Sequence, residues 1–552
     1  MKVFLLHRDQ DFDPAPELRD EIFDAMVSGN LWALSNLRRN LQRRRNVAAV
    51  PPSPPSLSPH TELAQDLELE TLWGAMSAGD EFLFETARRV ILSSLREPAA
   101  IVYRQRVLAD CLEHPAVIRE LYALAIDALG FERAVGSLWT GAGPDTILYR
   151  SVKLLKLYGG ALRRLRQIAD EQLEHFSSEG FTRLFATLRG ELADEYLDTV
   201  ERHLQDLEFR RGLLESAELG KGDKGEHYIV HEPPREQRWM ERLPVLGSRK
   251  AEQYSFELHP RDEAGARALG EIRGQGINRI ADAVARSADH VQSFFRTLRL
   301  ELAFYLGCLN LRARLDRKGE PVCYPEPAPM SELSLTADGI YDACLTLHID
   351  DAVISNNVDA DGKSLMMITG ANQGGKSTLL RALGLAQLMM QSGMFVSARS
   401  FRASVCAGLF THYKREEDTA MESGKLAEEL SRMSEVVDRI KPHSMLLCNE
   451  SFASTNEREG SEIARQVVRA MLDKRIRVLF VTHMYDLAHG FHAEQSDAAL
   501  FLRAEREPDG RRTFKLLKGE PLPTSYGEDS YRRIFGEGDR AVQIGRRAGG
   551  AG

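Results

Sequence analysis

From Leu63 to about Arg210, apolar residues recur every three or four positions, the period of helices packed along one face. Phe82-Leu83-Phe84 and Val90-Ile91-Leu92 share one amphipathic stretch, and Tyr103 to Leu112 form another before Pro115. The spacing of Phe181, Leu184, Phe185, Leu188, Leu192, Tyr196, Val200, Leu204 and Leu207 predicts one helix, the longest of the region. Residues 211–260 break the rhythm with Gly220, Gly222, Gly225 and Pro233-Pro234, and His227-Tyr228-Ile229-Val230 reads as a strand. Helical spacing resumes over Ile280, Val284, Val291, Phe295, Leu298, Leu302, Tyr305 and Leu309. The pattern therefore predicts a helical, lever-like domain over 61–318 with a small β-containing insertion near 211–260.

The proline-rich run Gly319 to Met330 marks the next boundary, and beyond it short apolar runs alternate with helical spacing. That alternation predicts an α/β domain over 319–545 built on a mostly parallel sheet. Its buried-strand candidates are Leu365–Thr369, Ser444–Cys448 and Val478–Thr482. Glu507-Pro508-Asp509-Gly510 is a turn signal joining Ala499–Arg503 to Thr513–Leu517 as a closing hairpin. At the other end, residues 1–60 read as an arm whose prolines 51, 52, 54, 55 and 59 make a stiff linker. The expected fold is thus multidomain: helices first, then an α/β unit.

Composition narrows the partners less than the fold. A chain of 552 residues with 43% hydrophobic and 28% charged residues is an ordinary globular one, with no run long enough to span a bilayer. Cys111, Cys308, Cys323, Cys344, Cys406 and Cys448 are scattered without zinc spacing. With no secretory signal pattern at the N terminus, they point to free thiols in a cytoplasmic protein. The net charge of −9 draws no nucleic acid globally, so phosphates would have to meet local basic runs. Leu37 to Arg45 and Lys153 to Arg166 (Lys153, Lys156, Arg163, Arg164, Arg166) are the two available, although a basic helix face is more often simply solvated.

The chemistry concentrates at Ile368 to Leu379, which reads I-T-G-A-N-Q-G-G-K-S-T-L. Gly370, then Gly375-Lys376-Ser377 after four residues, is the spacing of a phosphate-binding loop, set between an apolar strand and a helical stretch. Glycines allow backbone N–H groups to close around phosphates, and the helix N terminus adds partial positive charge. In such a loop Lys376 reaches the β- and γ-phosphates and the Ser377 hydroxyl ligands Mg²⁺. Met445 to Cys448 would be the second strand of the site, ending in Asn449 and Glu450. Glu450 fits a general base or water-orienting group, while Asn449 stands where most such ATPases place a metal-holding Asp. Lacking that charge, the site is expected to hold Mg²⁺ less tightly or to turn over slowly. His483, after Val478 to Thr482, is placed to sense the γ-phosphate.

This ordered set resembles the MutS family of ATPases. The family's T-G-P-N-x-G-G-K-S-T is matched by Thr369-Gly370-Ala371-Asn372-Gln373-Gly374-Gly375-Lys376-Ser377-Thr378, and its G-x-x-V-P-A by Gly393 to Ala398. Its D-E-x-x-x-G-T-S-x-x-[DE]-G corresponds to Asn449 to Gly460, its A-T-H to Val481-Thr482-His483, and its late S-Y-G to Ser525-Tyr526-Gly527. The likeness is firm over about 340–530 and softer over 63–318.

The resemblance implies ATP and Mg²⁺ as cofactors and a homodimer in which each nucleotide is capped by a loop of the other subunit. The matching loop is Met421 to Leu426, where Ser423 is the residue able to serve. Ile354-Ser355-Asn356-Asn357 resembles the family's adenine-side F-V-P-N-D, with Asn356 kept and the stacking Phe missing. The mismatch-reading Phe-x-Glu domain has no counterpart, since only about sixty residues precede the helices; a reduced relative is expected. The implied activity is a DNA-dependent ATPase that opens and closes on mismatched, branched or structured duplex in repair or recombination. Two other readings stay open: a nucleotide-gated clamp with little hydrolysis, and a relative whose helices grip RNA or a ribosome.

Overall fold

In a computed structural model of the chain, the described residues are 2–12, 23, 26–27, 59–136, 143–210, 212–221, 225–231, 257–259, 261–415, 424–507 and 511–523. The proline linker, the Leu37 to Arg45 run, Ser423, most of the 507–510 turn and Ser525 to Gly527 lie outside them. By internal packing the chain forms two compact units. One comprises residues 119–177 and 181–299 with the first three residues, and the other comprises 4–118, 178–180 and 300–552.

The first unit is helical. It contains most of α5 (Pro115–Gly136), then α6 (Pro144–Gln172), most of α7 (Glu179–Glu191), α8 (Asp194–Asp206), and the first part of α9 (Glu263–Arg317). The β-containing insertion is present as a hairpin, with β1 (Leu214–Leu219) antiparallel to β2 (Gly225–His231). Leu148 and Val152 of α6 meet Leu204 of α8 and Ile277 and Ala281 of α9 in one buried cluster. The single helix expected from Phe181 to Leu207 is instead two. Ala193 leaves helical geometry (φ −55°, ψ 143°), and the Leu192 carbonyl accepts a bond from the Arg166 guanidinium (2.8 Å). Asp194 and Glu195 then open α8, where their charge favours a helix N terminus. Spacing alone misses the break because the apolar residues keep a four-residue step through it. The longest helix is α9, with 55 residues.

Among its described residues the second unit holds two sheets. The larger is six-stranded, in the order β12 (Arg512–Lys518), β11 (Ala499–Arg506), β6 (Leu365–Thr369), β10 (Arg477–Val481), β9 (Met445–Asn449), β8 (Leu409–Tyr413). All its pairings are parallel except β11 with β12, the expected closing hairpin. Strands β6 and β10 are buried at every position, which is why they read as continuous apolar runs instead of alternating ones. Helices α11 (Lys376–Gln391), α12 (Lys425–Arg439), α13 (Glu457–Asp473) and α14 (Tyr485–Ala493) belong to the same unit. Met433, Val468, Met484 and Leu487 pack with Leu446, Cys448, Val478 and Phe480 in its core. A four-stranded sheet, β3 (Glu326–Ala328), β7 (Ser400–Ser404), β4 (Leu335–Ile340), β5 (Asn356–Asp359), stands beside it.

Helices α1 (Pro59–Asp66), α2 (Leu69–Ser77), α3 (Glu81–Leu92) and α4 (Pro98–Glu113) belong to this unit as well, α1 lying against β8 and α4 against β3. Arg432 of α12 binds Glu62 (2.7 Å), and Arg415 binds the buried Asp66 (2.8 Å). Arg381 of α11 joins Glu68 to Asp342, the fully buried cap of the short helix α10 (Ala343–His348). Removing one partner of a buried pair leaves an uncompensated charge. Arg381→Ala is therefore expected to cost about 3 kcal/mol, read as a lower urea midpoint. An unchanged midpoint would show that a protonated Asp342 stands without its partner.

Candidate functional site

The site forms where β6 ends. Gly370 turns the chain with φ 108°, and a Cβ there would lie 2.8 Å from the Ala504 amide nitrogen of β11, too close for any side chain. Gly375, at φ 86°, precedes α11 and lies under Phe514 of β12, whose carbonyl oxygen would be 3.3 Å from an added Cβ. Between them Asn372 and Gln373 are exposed, while Gly374 and Ala371 are buried. Lys376 is buried, and its Nζ donates back across the turn to the carbonyls of Gly370 (2.9 Å) and Ala371 (3.2 Å). Burial pushes its pKa down, against the pull of the Glu450 carboxylate.

Ser377 donates its hydroxyl to Asn449 Oδ1 (2.9 Å), which ties the first turn of α11 to the tip of β9 even though β10 lies between β6 and β9. Thr378 follows in the same turn, half-buried. At Glu450 the backbone leaves the sheet in the left-handed region (φ 54°), with its N–H on the Val481 carbonyl (2.9 Å). The Glu450 carboxylate accepts from the His483 amide (3.2 Å) and pairs with the His483 ring. That hydrogen bond raises the His483 pKa above its ordinary value. Residues from β6, β9 and β10 thus converge at one sheet edge, as their parallel direction requires.

Asn356 is bonded to β12. Its amide donates to the Phe514 carbonyl (3.1 Å) and accepts from the Leu516 N–H (2.8 Å), so its polar atoms pin β12 beside the glycine loop. This clamp holds Phe514, 46% exposed and with φ 58°, over a pocket of about 410 Å³. Ile349, Val353, Ile354, Gln373, Gly375 and Thr378 line the rest. Phe514 is the one aromatic residue among those that line this pocket. Sequence reasoning passed over it because its place depends on the β11–β12 register and on Asn356, neither of which leaves a local pattern. The one available signal is Thr513-Phe514-Lys515 itself, an aromatic between polar neighbours in a predicted edge strand.

The chain matches the family model described as MutS2 N-terminal domain over residues 96–318, and that described as MutS domain V over residues 366–532. The chain belongs to the MutS family. Among similar proteins, the DNA mismatch repair protein MutS of Porphyromonas gingivalis is 31% identical over 32% of this chain and 20% of its own length. The Endonuclease MutS2 of Thermus thermophilus is 28% identical over 31% and 23%, and the MutS protein homolog 4 of Mus musculus is 30% identical over 25% and 14%. The chain therefore aligns with less than a quarter of each of these relatives.

Against this family background the basic run of α6 looks ordinary. Lys156 pairs with Glu208, Arg163 with Glu201 (2.7 Å) and Asp198 (3.1 Å), Arg164 with Glu120, and Arg166 with Asp170 and Asp194 (both 3.5 Å). These cations are largely matched within their own unit, which weakens the run as a phosphate footprint. Among the described residues no helix is long and apolar enough to cross a membrane, and no group of three or more His, Cys, Asp or Glu could hold a metal ion.

The Glu450–His483 contact gives a pH signature. A histidine raised by its partner favours the folded pair fully below its unfolded pKa of about 6.5, and the benefit fades as pH climbs through the higher folded value. In a histidine-labelled NMR titration, His483 is expected to titrate above 6.5, and Glu450→Gln to bring it down. A midpoint that ignores Glu450→Gln would show the contact to be electrostatically idle.

Proposed function

We propose that this MutS-family chain binds ATP with Mg²⁺ at the glycine loop and hydrolyses it in concert with DNA. The observation that carries the reading is the convergence of Lys376, the Ser377–Asn449 pair and the Glu450–His483 pair beside that loop. In this reading Gly370, Asn372, Gly374 and Gly375 shape the phosphate cradle, and Thr378 closes its helical side. A phosphate oxygen is a stronger partner for an ammonium than the two carbonyls that hold Lys376, so the side chain can be drawn onto it. Phe514 and the apolar pocket beneath it take the adenine, with Asn356 acting through β12.

Mg²⁺ seeks oxygen ligands and keeps several waters. Ser377 Oγ and Asn449 Oδ1 are neutral oxygens at one point of the loop, and they fit a cation whose remaining ligands are phosphate oxygens and water. The ion would offset charge on the phosphates. Glu450 orients the attacking water, and His483 holds the carboxylate in place and senses its state. Residues 319–545 form the ATPase domain in this reading, and 61–318 the helical core and lever. A second copy of the chain supplies the loop around Ser423, making a homodimer with composite sites in the cytoplasm. The DNA assignment is supported by relatives named for DNA mismatch repair.

A clamp with little turnover is the second reading, favoured by Asn449 in place of a carboxylate and by the hold of His483 on Glu450. Steady-state ATP hydrolysis, alone and with homoduplex, mismatched duplex, four-way junction or structured RNA, separates the two. Stimulation by one DNA form, abolished in Lys376→Ala and reduced at least a hundredfold in Glu450→Gln, is the expected result (roughly 3 kcal/mol or more of barrier). ATP binding without turnover would favour the clamp, and stimulation by RNA alone would turn the partner assignment over. Phe514→Ala should weaken ATP binding about fivefold, the loss of roughly 1 kcal/mol of ring contact, in a calorimetric titration. Unaltered affinity would remove Phe514 from the site.

A further inference from the structure

Phe4 to His7 belong to neither helix nor strand, yet Phe4, Leu5 and Leu6 are buried in the second unit. Their main chain is paired with side chains. Tyr103 of α4 donates its hydroxyl to the Phe4 carbonyl (2.6 Å), Tyr305 of α9 to the Leu5 carbonyl (2.5 Å), and Arg104 Nε to the Leu6 carbonyl (3.0 Å). In the other direction the Leu5 and Leu6 N–H groups donate to one oxygen of Glu301 (2.5 and 3.1 Å). These five bonds read carbonyls and amides in a fixed order, and one side chain is engaged besides, the His7 ring at 3.2 Å from Arg104 Nη2.

The chemistry of these four side chains is unusual for a structural core. Arg104 and Glu301 are fully buried, and a buried charge is costly unless its hydrogen bonds are satisfied. Here the N-terminal segment supplies partners for Glu301 Oε2 and for Arg104 Nε and Nη2, while Glu301 Oε1 is buried without one. Burial lifts the Glu301 pKa to about 7, and the Leu6 and Leu5 amides work against that rise. Arg104 also faces a second element, because its Nη1 donates to the Ser392 carbonyl just beyond α11 (3.0 Å). Its side chain lies so close to Gly393 that a Cβ there would meet Arg104 Cβ at 2.6 Å. One guanidinium therefore holds both the Leu6 carbonyl and the far end of the helix that begins at the glycine loop.

We propose that Tyr103, Arg104, Glu301 and Tyr305 form a peptide-binding socket that reads main-chain groups. Residues 4–7 are its tethered ligand, and filling the socket steadies the C-terminal end of α11 through Arg104. The ligand class is a short apolar peptide that presents three successive carbonyls and the last two amides of Phe4-Leu5-Leu6.

The test uses the full chain carrying Leu5→Asp and Leu6→Asp, which expels its own segment, and a fluorescent peptide of residues 2–12 followed by anisotropy. Saturable binding to the variant, and none to the wild type with its socket filled, is expected. Adding Tyr305→Phe should weaken the binding about tenfold, as loss of one buried hydrogen bond does. A peptide N-methylated at the residues equivalent to Leu5 and Leu6 should not bind; equal binding would overturn main-chain reading. Amide exchange supplies the second readout. Gly393 and Met394 should exchange faster in the variant and slow again when peptide is added, and indifference there would remove the coupling to α11. Should the variant not fold, exchange in the wild type decides: the Leu5 and Leu6 amides must be strongly protected, and rapid exchange at both would sink the proposal.

Discussion

The candidate site depends on the parallel registration of β6, β10 and β9. Val478 lies opposite Leu365 and Val481 opposite Ile368, while Val481 also lies opposite Asn449. Hydrogen-bonded in this way, the three strands finish together, and the residues that follow them emerge at one edge. Thr369-Gly370, Asn449-Glu450 and Thr482-His483 are distant in sequence and adjacent in space for that reason alone. An antiparallel pairing of any one strand would send its terminal residues to the opposite edge. Parallel strands need covered faces and long crossovers, so α11, α12 and α13 are conditions of the chemistry as much as products of the fold.

The two edges of this sheet are treated differently. At the amino end of β10, Arg477 is buried and bonds the carbonyls of Leu333, Ser334 (2.8 Å) and Lys363 (3.1 Å), fastening the large sheet to the chain that leads into β4. Burial lowers even this guanidinium to about 10. At the carboxyl end, the polar groups bond one another across the strand tips: Ser377 to Asn449, Glu450 to His483. Satisfied backbone acceptors make the first edge rigid. The second edge is closed by side-chain pairs instead, the groups that the proposed ATP and Mg²⁺ would meet.

The same division runs through the charged residues at large. Most cations on α6 meet carboxylates of neighbouring elements, and Arg381, Arg415 and Arg432 stitch α1, the Glu68 cap of α2 and α10 to the large sheet and its helices. Such pairs serve packing. Lys376 differs, being held by backbone carbonyls, and Arg104 differs again, divided between a peptide carbonyl and a helix end. A count of basic residues would rank all of these alike; their partners separate cations paired with carboxylates from cations held by carbonyls.

Much of the α/β fold is legible in the chain. Continuous apolar runs mark β6, β9 and β10 because strands buried on both faces cannot alternate, and the glycine spacing marks the loop because only glycine tolerates its approach to β11. The strand limits differ by one residue at β9 and β10, a matter of where a ladder's last bond falls. The helical half is less legible, since one side-chain period runs unbroken through Ala193 while the backbone does not. Phe514, the Asn356 clamp and the socket for residues 4–7 were not visible at all. Local pattern determined which segments are helix, strand and loop, and which residue types could carry phosphate chemistry. Only the tertiary structure decided which distant atoms meet, because hydrogen bonds such as Asn356 to β12 or Glu301 to Leu5 join residues between which the sequence carries no period.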